Sequence, residues 1–297
     1  MNQVCKSVLF VSSILILVAL STSVRAQDPV VDGYLDAGYG SALSTQTCNT
    51  SYGKATGGDS SGGSELDAAY GVVNAGDLYL FMAGNMQNNG NNVIIWIQGA
   101  SGGQSTLNIS SGWGASSMNG AKFSPGFAPN LMLTVDDSSG TLYADTFALS
   151  ASGSVNTYIG DLAESSKGFA DGSIAGIAIG LVNTNTAGVS NQAGTAANQA
   201  NSAKVGVGLE LGIPLSELGY TSGNIEVMAA IGNSTPNNLS NQFLPGLPST
   251  YSSGPATNFN FSSTSGEFFT VVPEPSTICL VVLGLFGAIG LVRRHKA

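Results

Sequence analysis

Between residues 27 and 272 the hydrophobic positions fall into short runs, cut by clusters of Gly, Asn, Asp and Ser, with no long stretch at helical period. That pattern predicts an all-β sandwich or barrel. The clearest runs are LYLFMA (78–83), VIIWIQ (93–98), LMLTV (131–135), TLYADTFAL (141–149), IAGIAIGLV (174–182), VGVGLELGI (205–213) and IEVMAAI (225–231). The first two are apolar on both faces, as central strands covered on each side would be, whereas 205–211 alternates like a half-buried strand. NNGNN at 88–92 and DDSSG at 136–140 join successive runs and carry the residues that tight hairpin turns favour. PLSEL at 214–218 predicts one helical turn, with Pro where a first turn tolerates it. Residues 183–203 read as a long polar loop, and 248–266, rich in Ser, Thr and Asn, as a linker to a last strand, EFFTVV. No internal repeat divides the chain. The expected architecture is a single jelly-roll-like β-sandwich over 27–247, followed by a Ser/Thr/Asn-rich segment at 248–272.

Two longer apolar stretches stand apart, one at each end. Lys6 precedes an apolar run from Val8 to Leu20, and the small residues Val24 and Ala26 follow it. This order predicts a secretory signal peptide over 1–26, cut between Ala26 and Gln27 by signal peptidase after delivery to the secretion machinery. At the other end, residues 277–292 hold 16 positions without a charge. As a transmembrane helix they would span about 24 Å, short of a hydrocarbon core of about 30 Å unless flanking residues snorkel. Arg293, Arg294 and Lys296 follow at once, which places this tail in the cytoplasm and the preceding domain outside. An ectodomain between a signal helix and a transmembrane helix is the expected layout.

Pro273-Glu274-Pro275, the apolar segment and the basic tail occur in order within the last 25 residues, 273–297. Together they resemble the PEP-CTERM sorting signal of exopolysaccharide-producing Gram-negative bacteria. The resemblance implies processing near the motif by an exosortase, an integral-membrane cysteine transpeptidase. The chain would be held in the inner membrane as a precursor, lose its basic tail and pass to the cell surface or extracellular matrix. A permanent single-pass anchor is the plainer alternative.

Charge sharpens this picture. Only 9% of residues are charged, against about a quarter in ordinary soluble domains. Lys6, Arg25, Arg293, Arg294 and Lys296 sit at the two ends; residues 27–272 keep Lys54, Lys122, Lys167 and Lys204, no Arg, and 17 of the 18 acids, a formal charge of −13. Nucleic-acid binding needs clustered cations and is excluded. The one histidine, His295, lies in the tail, which removes Ser-His-Asp and Cys-His chemistry and histidine-ligated zinc from the central domain. Cys5 and Cys279 belong to the terminal segments, so Cys48 has no partner in the central domain and no disulfide scaffold is expected.

Candidate chemistry rests on carboxylates and aromatics. Glycoside hydrolysis needs two carboxyls about 5 to 10 Å apart, and Asp136 and Asp137 read instead as turn residues chosen for backbone reasons. Glu65 with Asp67, or Asp32 with Asp36, could join a calcium site; no Asp-x-Asp-x-Asp-Gly loop occurs, and no other metal or cofactor is expected. Trp96, inside VIIWIQ, reads as core, while Trp113, in the Gly/Ser-rich SSGWGASSM, is the candidate platform for stacking against a sugar. VDGYLDAGYGSAL (31–43), GSELDAAYG, DLYLFMAGNM, VIIWIQG, LVNTNTAGVS, GLELGIPLSELG (208–219) and LSNQFLPGLP (239–248) resemble elements of family-9 carbohydrate-binding and DOMON-like β-sandwiches. The resulting expectation is a non-catalytic, exosortase-sorted surface or matrix protein with a structural or binding role in exopolysaccharide. A dedicated carbohydrate-binding module is the alternative, and a carboxylate-dependent glycoside hydrolase a remote one.

Overall fold

The computed structural model describes residues 28–48, 50–52, 63–163, 176–185, 204, 206–247 and 254–273. The expected signal segment, the apolar segment 277–292 with its basic tail, and most of the polar loop 183–203 lie outside the described residues. The described residues form thirteen strands: β1 Ser44–Thr45, β2 Glu65–Asn74, β3 Asp77–Asn85, β4 Asn89–Gln98, β5 Leu131–Ser138, β6 Thr141–Ser150, β7 Gly153–Ala163, β8 Ala178–Leu181, β9 Gly208–Pro214, β10 Ile225–Gly232, β11 Asn238–Leu244, β12 Gly254–Pro255 and β13 Phe269–Val271. All seven apolar runs fall within or across these strands. Among the described residues the only helical pieces are short 3-10 turns, and no helix is long and apolar enough to cross a membrane.

Two antiparallel sheets make the sandwich. The smaller has the order β1-β2-β3-β9-β8, and the larger the order β12-β11-β10-β4-β5-β6-β7, with β13 also paired to β10. Among the described strands β4 to β7 run as a consecutive meander, an order that departs from the two interleaved Greek keys of the expected jelly roll. The β2–β3 hairpin closes through Ala75 and Gly76 (φ 52° and 101°), and the β5–β6 hairpin through Ser139 and Gly140 (φ 57° and 83°). Paired positive φ values match the right-handed twist of the flanking strands. DDSSG is thus a hairpin. NNGNN is not, because β3 and β4 belong to different sheets. Each buries both faces and needs a neighbour on either side; β3 finds β2 and β9, and β4 finds β10 and β5. The asparagines of NNGNN instead tie down the crossing, with Asn92 Nδ2 donating to the Asn233 carbonyl at 2.8 Å and Asn91 Nδ2 to Ser64 Oγ at 3.0 Å. PLSEL forms successive turns rather than a helix, with Glu217 N donating to Pro214 O and Gly219 N to Ser216 O, both at 3.0 Å.

Alternation along the strands sorts side chains into three apolar layers. The inner core lies between the sheets and includes Leu78, Leu80, Val93, Ile95, Leu133, Leu211 and Val227. A second core covers the outer face of the large sheet, where Trp96, Met132, Phe147, Met228 and Phe243 meet a roof drawn from the 99–130 connection and from 254–268. The residues expected to be a linker thus supply Ala256, Phe259 and Phe261 to a packed layer; Phe243 meets Phe259 and Phe261 at ring-centroid distances of 5.4 and 5.8 Å. Their Ser/Thr/Asn-rich composition hid three buried side chains. The third layer covers the small sheet, where Tyr39 from the N-terminal segment packs on Phe81, which also meets Tyr70 edge-on.

Glu210 pins that N-terminal segment. Its carboxylate accepts from Asp32 N at 2.8 Å, Gly33 N at 3.0 Å and Tyr39 Oη at 2.8 Å. Burial pushes its pKa up to about 7 against the opposing pull of those three donors.

Candidate functional site

The roof over the large sheet stops short of its far end. There the outward-facing residues of β5, β6 and β7 remain, and register places them in rows. Asp136 stands opposite Tyr143, which stands opposite Asp161; in the next row Thr134 faces Asp145, which faces Tyr158. Met132, Phe147 and Asn156 form the following row, where the roof begins. A bulge between Ala144 and Asp145 shifts the register, so that Tyr158 and Asp161 both face outward although an odd number of positions separates them. Tyrosines and carboxylates therefore alternate, one row to the next.

Tyr143 is 39% exposed and Tyr158 46%. Asn156 Nδ2 donates to Asp145 Oδ1 at 2.9 Å, fixing that carboxylate beside Tyr158, and Tyr158 Oη lies 3.4 Å from Asp161 Oδ1. Asp136 is 92% buried by its neighbours, from a residual exposure of 8%. Burial first, then the charges of Asp145 and Asp137, raise its pKa to about 7. Burial also raises Asp145, with the Asn156 hydrogen bond opposing. In the same row as Asp136 stands Asn92, fully buried, whose Oδ1 accepts no hydrogen bond among the described residues.

Trp113 is half exposed, as an external platform requires. It follows Gly112, whose Cα stands against Phe147 and Asn156, so the tryptophan loop borders the tyrosine face. Trp96 is buried in the second core, edge-on to Phe123 at 5.6 Å. Asp136 and Asp137 both lie on β5, facing opposite sides, with the turn placed after them at Ser139 and Gly140. Asp137 does hold the turn, accepting from Gly140 N at 3.0 Å, but it turns inward to Asn183 at 3.3 Å. Asp67 is likewise fully buried and accepts from Asn185 Nδ2 at 2.8 Å. Asp32 and Asp36 accept from the backbone amides of Tyr34 (3.1 Å) and Val30 (2.6 Å). Among the described residues no group of three or more His, Cys, Asp or Glu is placed to hold a metal ion. Cys48 is a free, half-buried thiol, raised in pKa by burial.

A concavity of about 490 Å³ opens at the other end of the same sheet, between Gln98, Lys122, Phe123, Ser124 and Phe127. Its wall is braced by Glu267, which accepts from Ser124 N and whose pKa burial lifts to about 7. The sequence singled out neither this groove nor the tyrosine face. Tyr143 lies in a run read for its apolar residues, and β7 offered no apolar run at all.

The last strand decides the rest. Val271, the final residue of β13, is buried against β10, and Val272 is exposed. From that point, residues 271–294 match the PEP-CTERM protein-sorting motif. The chain carries a PEP-CTERM tail. This tail implies export, a membrane-anchored precursor and an exosortase as processing partner. Of its expected site residues only Pro273 falls among the described ones; Glu274, Pro275, Arg293, Arg294 and Lys296 lie outside them, as do Ala26 and Gln27. The PEP-CTERM tail thus begins on a core residue of the sandwich, with no spacer. No curated protein and no solved structure matches the chain.

Proposed function

We propose that this chain is a non-catalytic β-sandwich displayed at the cell surface or in the extracellular matrix of a Gram-negative bacterium, where it binds or scaffolds exopolysaccharide. The carrying observation is the sorting motif at 271–294, which starts on the last residue of β13. Folded domain and address are one continuous unit, so whatever the sandwich does is done where the tail delivers it. The signal segment at 1–26, the basic tail and the near-absence of cations in the domain agree with export. The non-catalytic reading is supported by a central domain whose sequence holds no histidine and a single cysteine. Its acidic, hydroxyl- and amide-rich surface keeps it soluble in a hydrated matrix and repels polyanions.

Replacing Pro273, Glu274 and Pro275 by alanine tests the address. An unprocessed chain retained in the membrane fraction is expected; unchanged processing and location would overturn the reading. The exposed Tyr143, Tyr158 and Trp113 on one side of the sandwich favour a second reading, a module with a defined glycan ligand. The likeness of several strands to family-9 carbohydrate-binding and DOMON-like sandwiches points the same way.

A further inference from the structure

We infer that the open outer face of β6 and β7, bordered by β5, is a contact surface for a neutral, hydroxyl-rich polysaccharide, with Tyr143 and Tyr158 as stacking platforms and Asp145 and Asp161, flanked by Asp136, as hydroxyl acceptors. This deepens the matrix-binding reading and rests on it. Neighbouring strands are about 4.8 Å apart and alternate residues about 6.8 Å, so the two rows cover roughly 10 Å by 7 Å. On that patch the two rings occupy diagonal positions on adjacent strands, each beside a carboxylate. Single exposed aromatics are ordinary. Two on a stretch that the described phenylalanine roof does not reach are the complement of a ligand with apolar faces and polar rims.

The polar groups specify the kind of rim. The patch offers acceptors: the Asp145 carboxylate held by Asn156, the Asp161 carboxylate beside Tyr158 and, at its edge, the largely buried Asp136 carboxylate. Asp136 is nine-tenths buried and is held by its own backbone amide, with no side-chain donor among the described residues. A buried carboxylate with so little donation is costly until a ligand supplies more. Hydroxyls donate without adding charge. The three rows of β5, β6 and β7 contain no Lys, Arg or His, so anionic glycans meet uncompensated repulsion.

The test uses the full chain in detergent micelles, with hydroxyethylcellulose, galactomannan and dextran as neutral probes, alginate as a polyanion and chitosan as a polycation. Saturable binding to at least one neutral glycan, and none to alginate, is expected. The double change Tyr143→Ala and Tyr158→Ala should weaken it by about tenfold or more, whereas the corresponding pair of Phe substitutions should keep most of it, since the rings remain. Asp145→Asn, at a half-exposed position, guards against simple unfolding and should weaken binding several-fold at unchanged melting temperature. Neutral-glycan binding that survives the double alanine change, or disappears only with Trp113→Ala, places the site elsewhere and overturns this inference while leaving the matrix role intact. Preference for chitosan alone also overturns it, as charge attraction. Silence on every neutral probe overturns the inference together with the glycan-binding module, and the sorting reading is then judged by the location of the alanine-substituted motif.

Discussion

Glu210 offers the sharpest test of how the sandwich is held together. Its carboxyl is fully buried on β9, and its pKa is pushed up to about 7 from an ordinary 4.5. A carboxyl whose folded pKa is raised binds its proton more tightly in the folded chain. Its contribution favours folding fully below about pH 4.5 and is lost as pH rises through about 7. At about 1.4 kcal/mol per pH unit, the loss attributable to this one group between pH 4.5 and pH 8 approaches 3 kcal/mol. Glu210→Gln removes the charge and keeps an oxygen to accept from Asp32 N or Gly33 N, while Tyr39 Oη can turn to accept from the new amide. Urea unfolding of wild type and variant at pH 5 and pH 8 isolates the effect, because other titrating groups cancel in the difference. The variant should gain on the wild type by about 2 to 3 kcal/mol on going from pH 5 to pH 8. An equal difference at both pH values would refute the argument and mean that the charged carboxylate is fully compensated by its three donors.

Other outcomes follow from the same packing. Phe243→Ala, removing a fully buried ring between Phe259 and Phe261, should cost about 3 to 5 kcal/mol in denaturant unfolding. A loss under 1 kcal/mol would mean that the 254–268 roof is not docked. Asn183→Ala strands the Met86 amide, which donates to Asn183 Oδ1 at 2.7 Å, and the Met86 carbonyl, which accepts from its Nδ2; about 2 kcal/mol or more should be lost. Thiol titration of denatured material should find three cysteines in the precursor and, once both terminal segments are removed, Cys48 alone. A count above one in surface-released protein would contradict processing at one end or the other.

What was legible in the sequence was whatever burial writes as a local pattern. LYLFMA and VIIWI carry apolar residues on both faces because both faces are covered, and each proved a central strand. DDSSG announced a turn because Ser139 and Gly140 must take positive φ. Pairing between sheets leaves no such local mark, so NNGNN, with the right turn residues, was read as joining strands that the fold sends to different sheets. β2 begins with Glu65 and Asp67, polar by type yet fully buried, so no apolar run marks it and only the resemblance of GSELDAAYG to a sandwich strand points to it. The tyrosine face was invisible for a related reason. Asp136, Tyr143, Asp161, Asp145 and Tyr158 lie on three strands and meet only through register and one bulge, neither of which is spelled out in residue spacing.

The placement of β13 also has a mechanical meaning. Three residue pairs, Ile225 with Val271, Glu226 with Thr270 and Val227 with Phe269, connect the strand next to the tail to the body of the sandwich. While the precursor is anchored, drag on the domain enters through Val272 and reaches those pairs first. Each backbone hydrogen bond there contributes only about 1 kcal/mol net, and behind them β10 is seated between β4 and β11. Tension should therefore peel Phe269 and Val271 from the inner core before any other strand yields, leaving the two sheets closed. The strand next to the sorting tail would then act as a fuse, lengthening the tether under load while the displayed surface keeps its shape.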